Sequence, residues 1–206
     1  MTSTYAPKHI LDREVGYKIM IVGDAAQGKS ASLRNIIDHE GVLYLNFDNK
    51  ELPFPHKFKV MTLDDFGNDV RRILDLFRQL RDNPQEYVKY HTVVIDTWSF
   101  LMNLYNTQHI LRNPPKDSKG SPDTRKGWQL YAAFIQEFFL ETTAGIKQNI
   151  ICLSHGMDYD EATGRARYAM IQGSTKNLKL EAFFTAVVWA NIEDVDDLAK
   201  HPNDLL

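Results

Sequence analysis

Cysteine is nearly missing from this chain: one residue, Cys152, in 206. A lone thiol cannot close an internal disulfide, so the fold must rest on its core, and such usage fits a reducing cytoplasm. Cys152 lies inside the apolar run NIICLS, which marks it as a buried structural thiol rather than a nucleophile. No apolar run approaches the ~20 residues of a membrane-spanning helix, and the opening MTSTYAPKHILDREV has no apolar signal core. A strong excess of one charge is missing too. With a net charge of −3, contact with a polyanion has to come from local basic patches, not from a global field. There are no internal repeats and no long low-complexity segment. The remaining balance, 43% hydrophobic and 25% charged residues, is that of one globular domain with a substantial core. We expect a single domain over 1–206, with a lead-in at 1–16 and an acidic tail at 193–206.

The richest stretch is YKIMIVGDAAQGKS at 17–30. Tyr17, Ile19, Met20, Ile21 and Val22 read as a mostly apolar strand. Gly23, Asp24, Ala25, Ala26, Gln27, Gly28, Lys29 and Ser30 then carry the spacing G-x-x-x-x-G-K-S of a phosphate-binding P-loop, which runs on into Ala31. The glycines let the backbone turn so that successive N–H groups point at a polyphosphate. Lys29 supplies a positive charge for the β- and γ-phosphates. Ser30 offers a hydroxyl to Mg²⁺ at a helix N-terminus, where the dipole also favours anions. Ser32, Leu33, Ile36 and Ile37 predict an apolar face for that helix, stopped by Gly41. The motif with its flanking strand and helix points to a nucleoside triphosphate.

Strand and helix patterns alternate along the rest of the chain, which predicts an α/β fold with a mostly parallel central sheet flanked by helices. Strands are expected at 42–47, 58–62, 91–97, 149–154 and 182–192, with a hairpin in 157–171 turning at Thr163–Gly164. Phe66, Val70, Ile73, Leu74, Phe77 and Leu80 predict one helix over 64–82. Further helices are expected from 98 to about 111 and over 128–146.

Val93, Val94, Ile95 and Asp96 match the apolar-strand-plus-Asp pattern of Walker B, whose carboxylate serves the Mg²⁺ that bridges the phosphates. The competing reading makes Asp96 a cap for the helix beginning at Thr97-Trp98-Ser99. Asp48 and Glu51 follow strand 42–47. If that strand neighbours the P-loop strand, either carboxylate stands near the γ-phosphate and can polarise water, with Glu51 slightly favoured as base. Both are otherwise solvated loop charges. His155 ends the strand after Walker B, where it either senses the γ-phosphate or bonds a backbone carbonyl. Segment 112–127 sets Arg112, Lys116, Lys119, Arg125 and Lys126 against Asp117 and Asp123, and segment 156–168 carries Arg165 and Arg167 with Tyr159 and Tyr168. Such segments are either ordinary polar loops or contacts for a single strand, with arginine on phosphates and rings stacked on bases.

With GDAAQGKS (23–30), VVIDT (93–97), the helix GWQLYAAFIQEFF and NIICLSH (149–155) in this order, the chain resembles the RecA-like core of phage nucleotide-binding proteins, particularly single-strand annealing and recombination ATPases. YAMIQGSTKNLKLEAFFTAVVWANI (168–192) is similar to that family's stretch before its last core strand. The resemblance implies a RecA-like P-loop NTPase that binds ATP and Mg²⁺. It places single-stranded DNA at the loops 112–127 and 156–168. It also implies a ring or filament of identical protomers with ATP between them, where Lys176 and Lys179 either act on a neighbour's site or are ordinary surface lysines. Where RecA carries a glutamine as γ-phosphate sensor, this chain has His155, and the glutamate expected directly after the second strand is displaced in FDNKE. The function expected is a DNA-stimulated ATPase of recombination or annealing, in the cytoplasm, which is the host's if the chain is phage-encoded. The acidic tail (Glu193, Asp194, Asp196, Asp197, Asp204) either recruits a single-strand DNA-binding protein, competes for the basic loops, or frays. The alternatives are a small-molecule, nucleotide-type kinase with 112–127 as lid, a motor subunit for DNA, and a nucleotide-gated binding module without efficient turnover.

Overall fold

A computed structural model of the chain describes residues 14–160, 165–169 and 179–191. Strands β1 (Lys18–Val22), β2 (Val42–Asn46), β3 (Lys59–Thr62), β4 (Thr92–Asp96) and β5 (Asn149–Ser154) are followed by the hairpin strands β6 (Gly156–Asp160) and β7 (Arg165–Ala169), and then by β8 (Ala186–Trp189). Six of these form one sheet in the order β3-β2-β4-β5-β1-β8. Every pairing in it is parallel. Parallel strands are covered on both faces, so they read as continuous apolar runs. Thr92–Asp96 is buried at every position and Val42–Asn46 at all but its last. Because the strands are parallel, all their C-terminal ends lie on one side, and the segments that follow them share that edge.

Helices α1 (Ile73–Asp82), α2 (Trp98–Tyr105) and α3 (Thr124–Gln136) pack on one face. There the larger core gathers Phe77, Trp98, Tyr131 and Phe138, with Phe77 and Trp98 at 4.9 and 5.0 Å from Phe138 between ring centroids. The smaller core on the other side holds Leu33, Val42, Tyr44, Phe54, Phe58, Val94 and Leu153. Cys152 is fully buried in the larger core, and burial pushes its thiol above the ordinary range.

Several expected elements differ in detail. The P-loop is followed not by a long helix but by a 3-10 turn at Ala31–Asn35. Leu33 is buried, but the backbone turns extended at Ile36 and left-handed at Asp38, leaving Ile37 88% exposed. The β-branched pair Ile36-Ile37 gives helix little support, and a second short turn, His39–Gly41, feeds β2 instead. The helix expected over 64–82 is broken at Gly67 and Asn68, both left-handed, into the turns Leu63–Phe66 and Val70–Arg72 and then α1. Its six apolar positions are nevertheless all buried. Helix α2 continues as a wider π turn, Asn106–Arg112, and α3 as another, Glu137–Thr142. Helix α3 starts before residue 128 because Asp123 caps it, accepting from the Lys126 N–H at 2.9 Å. A short turn, Leu180–Phe183, occupies the beginning of the strand expected at 182–192. Strand β2 is not next to β1; β4 and β5 lie between them. The hairpin tip Thr163–Gly164, residues 1–13 and the acidic tail lie outside the described residues. Among the described residues no helix is long and apolar enough to cross a membrane.

Candidate active site

Strand β1 delivers the P-loop at the C-terminal edge of the sheet. The Gly23 N–H donates to the Ser154 carbonyl at 3.2 Å, and the Gly156 N–H donates back to the Gly23 carbonyl at 3.3 Å. A Cβ on Gly23 would stand 2.6 Å from the Ala190 carbonyl, so only glycine lets the loop leave between β5 and β8. Ala26 and Gly28 are both left-handed, at φ 64° and 76°, which curls the backbone between them. The Lys29 ammonium is almost buried and donates to the carbonyls of Gly23 (2.8 Å) and Asp24 (2.6 Å), pinning it onto the loop it springs from. Burial lowers its pKa, and the negative charges of Asp96 and Asp24 oppose that shift.

Ser30 and Tyr44 both donate their hydroxyl protons to Oδ2 of Asp96, at 2.7 and 2.6 Å. Asp96 is 1% exposed, and its Oδ1 has no hydrogen-bond partner among the described residues. Burial pushes its carboxyl upward from the ordinary range; the bonds from Tyr44 and Ser30 pull the other way, while the charge of Asp48 adds to the rise. Thr97, joined to Asp96 by a cis peptide, caps α2 by accepting from the Phe100 N–H at 3.2 Å. Capping is therefore the work of Thr97, and Asp96 is left facing the P-loop serine.

A cleft of about 580 Å³ runs along residues 25–31 and is walled by Tyr44, Asp48, Lys50, Glu51, Asp96 and His155. Such a volume suits a nucleotide-sized ligand. Asp48 reaches it although β2 is remote from β1, because β2 pairs with β4, which ends at Asp96 in the cleft, and the Phe47 N–H donates to the Asp96 carbonyl at 2.7 Å. Its nearly buried carboxylate pairs with Lys50 at 3.4 Å and accepts the Lys50 N–H at 3.2 Å. Glu51, by contrast, is exposed to the cleft and makes no hydrogen bond or ion pair with a described residue. His155 is fixed through its backbone, whose N–H donates to Ser99 Oγ at 2.8 Å, and its ring stands edge-on to Phe100 at 6.0 Å. Burial and then the charges of Lys29 and Lys50 lower its pKa, so the imidazole is neutral near pH 7. Its ring donates to no backbone carbonyl among the described residues.

Sequence reasoning missed Tyr44, Lys50, Ser99 and Phe100. Tyr44 reads as one more core aromatic in VLYLN; the only clue is a hydroxyl where phenylalanine would serve the core equally well. Magnesium, which P-loop chemistry implies, fits the residues present. Asp96 is a buried carboxylate with one oxygen unpartnered and no ion pair to a described residue, beside the Ser30 hydroxyl. A divalent cation there supplies the countercharge that such burial demands.

The basic segment 112–127 runs from the end of the π turn at Arg112 through a folded turn at residues 116–122 into the start of α3 at Thr124. Lys116 and Pro122 bridge, Asp117 Oδ1 accepts from the N–H groups of Lys119 and Ser121 at 2.8 Å each, and Gly120 is left-handed. Arg112, Lys116, Lys119, Arg125 and Lys126 are all exposed, and none is in an ion pair with a described residue. Gln108 fastens this region to the chain after β3, accepting from the Val70 N–H and donating to the Asn68 carbonyl. Arg165 and Arg167 lie on β7, opposite Asp160 and Asp158 of β6. Tyr168 is 4% exposed and buried, which removes it as a base-stacking ring. Lys179 is exposed at the start of the Leu180–Phe183 turn, and Lys176 lies outside the described residues.

A parallel sheet with a P-loop after its first strand and a carboxylate held against the P-loop serine defines an α/β P-loop core built to take a nucleotide. The family follows from sequence: the chain belongs to a family of AAA domains, matched over residues 15–204. In fold it is similar to an ATPase of the type III secretion system of pathogenic bacteria, at 13% identity and a TM-score of 0.50 over 91% of this chain and 54% of that one. The RadB recombinase overlays at 14% identity and a TM-score of 0.47, over 85% of this chain and 74% of that one. The chain thus spans about half the length of the secretion ATPase, and at these identities the likeness is one of fold. No curated protein matches the sequence.

Proposed function

We propose that this chain binds ATP with Mg²⁺ in the P-loop cleft, hydrolyses it, and uses the cycle to grip and release single-stranded DNA in a recombination or annealing reaction. The observation that carries the reading is the convergence of Lys29, Ser30, Asp96 and an unpaired Glu51 on one cleft. In it the N–H groups of residues 23–31 cradle the phosphates and Lys29 balances their charge. Ser30 and Asp96 hold the Mg²⁺. When bound, the cation neutralises charge that builds on the phosphate oxygens. Glu51 polarises the attacking water, being the carboxylate with no cation already on it, while Asp48 is committed to Lys50. His155, neutral and next to β6, reports the γ-phosphate to the hairpin that carries Arg165 and Arg167.

The DNA part of the proposal is supported by five exposed cations, none in an ion pair with a described residue, within residues 112–126 of a net-negative protein. Unpaired cations release counterions when they meet phosphates, and that release drives binding. Assembly into a ring or filament, with Lys176 and Lys179 reaching a neighbour's ATP, completes the proposal. Changing Lys116, Lys119, Arg125 and Lys126 together to alanine is expected to weaken binding of a labelled oligothymidylate. It should also lower the slope of log affinity against log salt by roughly three, about 0.7 for each phosphate no longer neutralised. Fluorescence anisotropy across a salt series reads both. An unchanged slope would mean that the turn does not touch DNA. A phosphorylated small-molecule product in place of free phosphate would put the kinase reading first.

A further inference from the structure

We propose that Tyr44 is a positioning residue that holds the Asp96 carboxylate in place for the cation, an inference that rests on the reading of Asp96 as the metal-side carboxylate. Three observations lead to it. The first is position. Strand β2 lies directly against β4, with Tyr44 opposite Val94 and Asn46 opposite Asp96. The tyrosine ring is buried in the smaller core, 6.0 Å from Phe58, so packing fixes the direction in which its hydroxyl reaches. The second is the bond itself, 2.6 Å from a phenol to a carboxylate oxygen, the length of a charge-assisted hydrogen bond. The third is what else holds Asp96. Among the described residues its only other side-chain partner is Ser30, and no cation pairs with it.

Those two donors differ in kind. Ser30 belongs to the phosphate-binding loop, which has to adapt to its ligand, with left-handed residues at Ala26 and Gly28 just before it. Tyr44 belongs to a strand hydrogen-bonded on both sides, to β3 and to β4. The sheet therefore sets the Tyr44 bond independently of the loop, and it is the one that keeps Oδ2 in register while the loop moves. Removing the hydroxyl leaves the ring's packing intact and frees the carboxylate to turn. Loss of an orienting partner of this kind lowers metal affinity by about 10- to 100-fold.

The test is equilibrium binding of a fluorescent ATP analogue to Tyr44→Phe, Asp96→Asn, the double variant and the parent, each titrated with Mg²⁺ and each also measured in EDTA. Tyr44→Phe is expected to raise the Mg²⁺ concentration for half-maximal binding by about tenfold. Its affinity in EDTA should stay within about twofold of the parent, because the groups that cradle the phosphates are untouched. If Tyr44 acts through Asp96, the double variant is no worse than Asp96→Asn alone, a coupling that a general packing defect does not produce. A parent-like Mg²⁺ midpoint in Tyr44→Phe, with Asp96→Asn shifted, would overturn the role of Tyr44 and leave the site reading standing. If neither variant shifts the midpoint, the reading of Asp96 fails and the inference fails with it. Equal weakening of Tyr44→Phe with and without Mg²⁺ would make Tyr44 a packing residue only.

Discussion

Lys29→Ala is expected to lower ATP turnover by roughly 10²- to 10³-fold, the usual consequence of removing a charge aimed at the transition state. The ammonium is nearly buried and sits on the carbonyls of Gly23 and Asp24, within the loop that would cradle the phosphates. Its burial already lowers its pKa, so an incoming anion offers it the countercharge that the two carbonyls cannot. The variant loses that attraction and gains nothing in exchange. The fold should survive, because the Gly23 carbonyl still accepts from the Gly156 N–H and the loop's glycines are untouched. Phosphate release alongside a thermal melt separates the two effects. Turnover within about threefold of the parent in a folded variant would contradict the assignment of Lys29, since a charge at the transition state is worth far more.

Glu51→Gln is the second large effect, an expected fall in kcat of about 10²- to 10⁴-fold with nucleotide affinity nearly unchanged, as for loss of a general base. Two neighbouring carboxylates stand in contrast here. Asp48 carries the Lys50 ammonium at 3.4 Å and accepts the Lys50 N–H, so each of its oxygens already has a partner. Glu51 has no such partner among the described residues and faces the same cleft. Asp48→Asn should therefore cost less in kcat than Glu51→Gln. Single-turnover hydrolysis of prebound ATP measures both without interference from product release. The opposite ranking would make Asp48 the base and require Lys50 to leave it during the cycle.

What the sequence made legible was the chemistry carried by consecutive residues. The P-loop and the strand ending in Asp96 are local patterns, and parallel strands that end on one side bring Asp48, Glu51 and His155 to the same edge, although β2 is not the neighbour of β1 that the reading of Asp48 and Glu51 required. The Tyr44–Asp96 bond was not legible. Its two residues lie 52 positions apart, and they meet only through the register between two strands, which no local pattern encodes. The P-loop helix was overread for a related reason. Leu33 and Ile36 fit a helical face, but the same spacing fits a single 3-10 turn, and the extended backbone at Ile36 that ends it, with the left-handed Asp38 beyond, leaves no periodic trace. Gly67 and Asn68 broke the helix expected at 64–82 without disturbing which side chains are buried, so the core was read correctly through a wrong element. Tyr168 shows the converse: an aromatic beside two arginines looks like a stacking platform until its burial is known.

The most direct test of the whole account is steady-state phosphate release from ATP, with and without single-stranded DNA, with Lys29→Ala as control. The expected result is release that depends on Mg²⁺, rises when single-stranded DNA is added, and disappears in the Lys29 variant. Release that is indifferent to DNA, or that persists in Lys29→Ala, would contradict it.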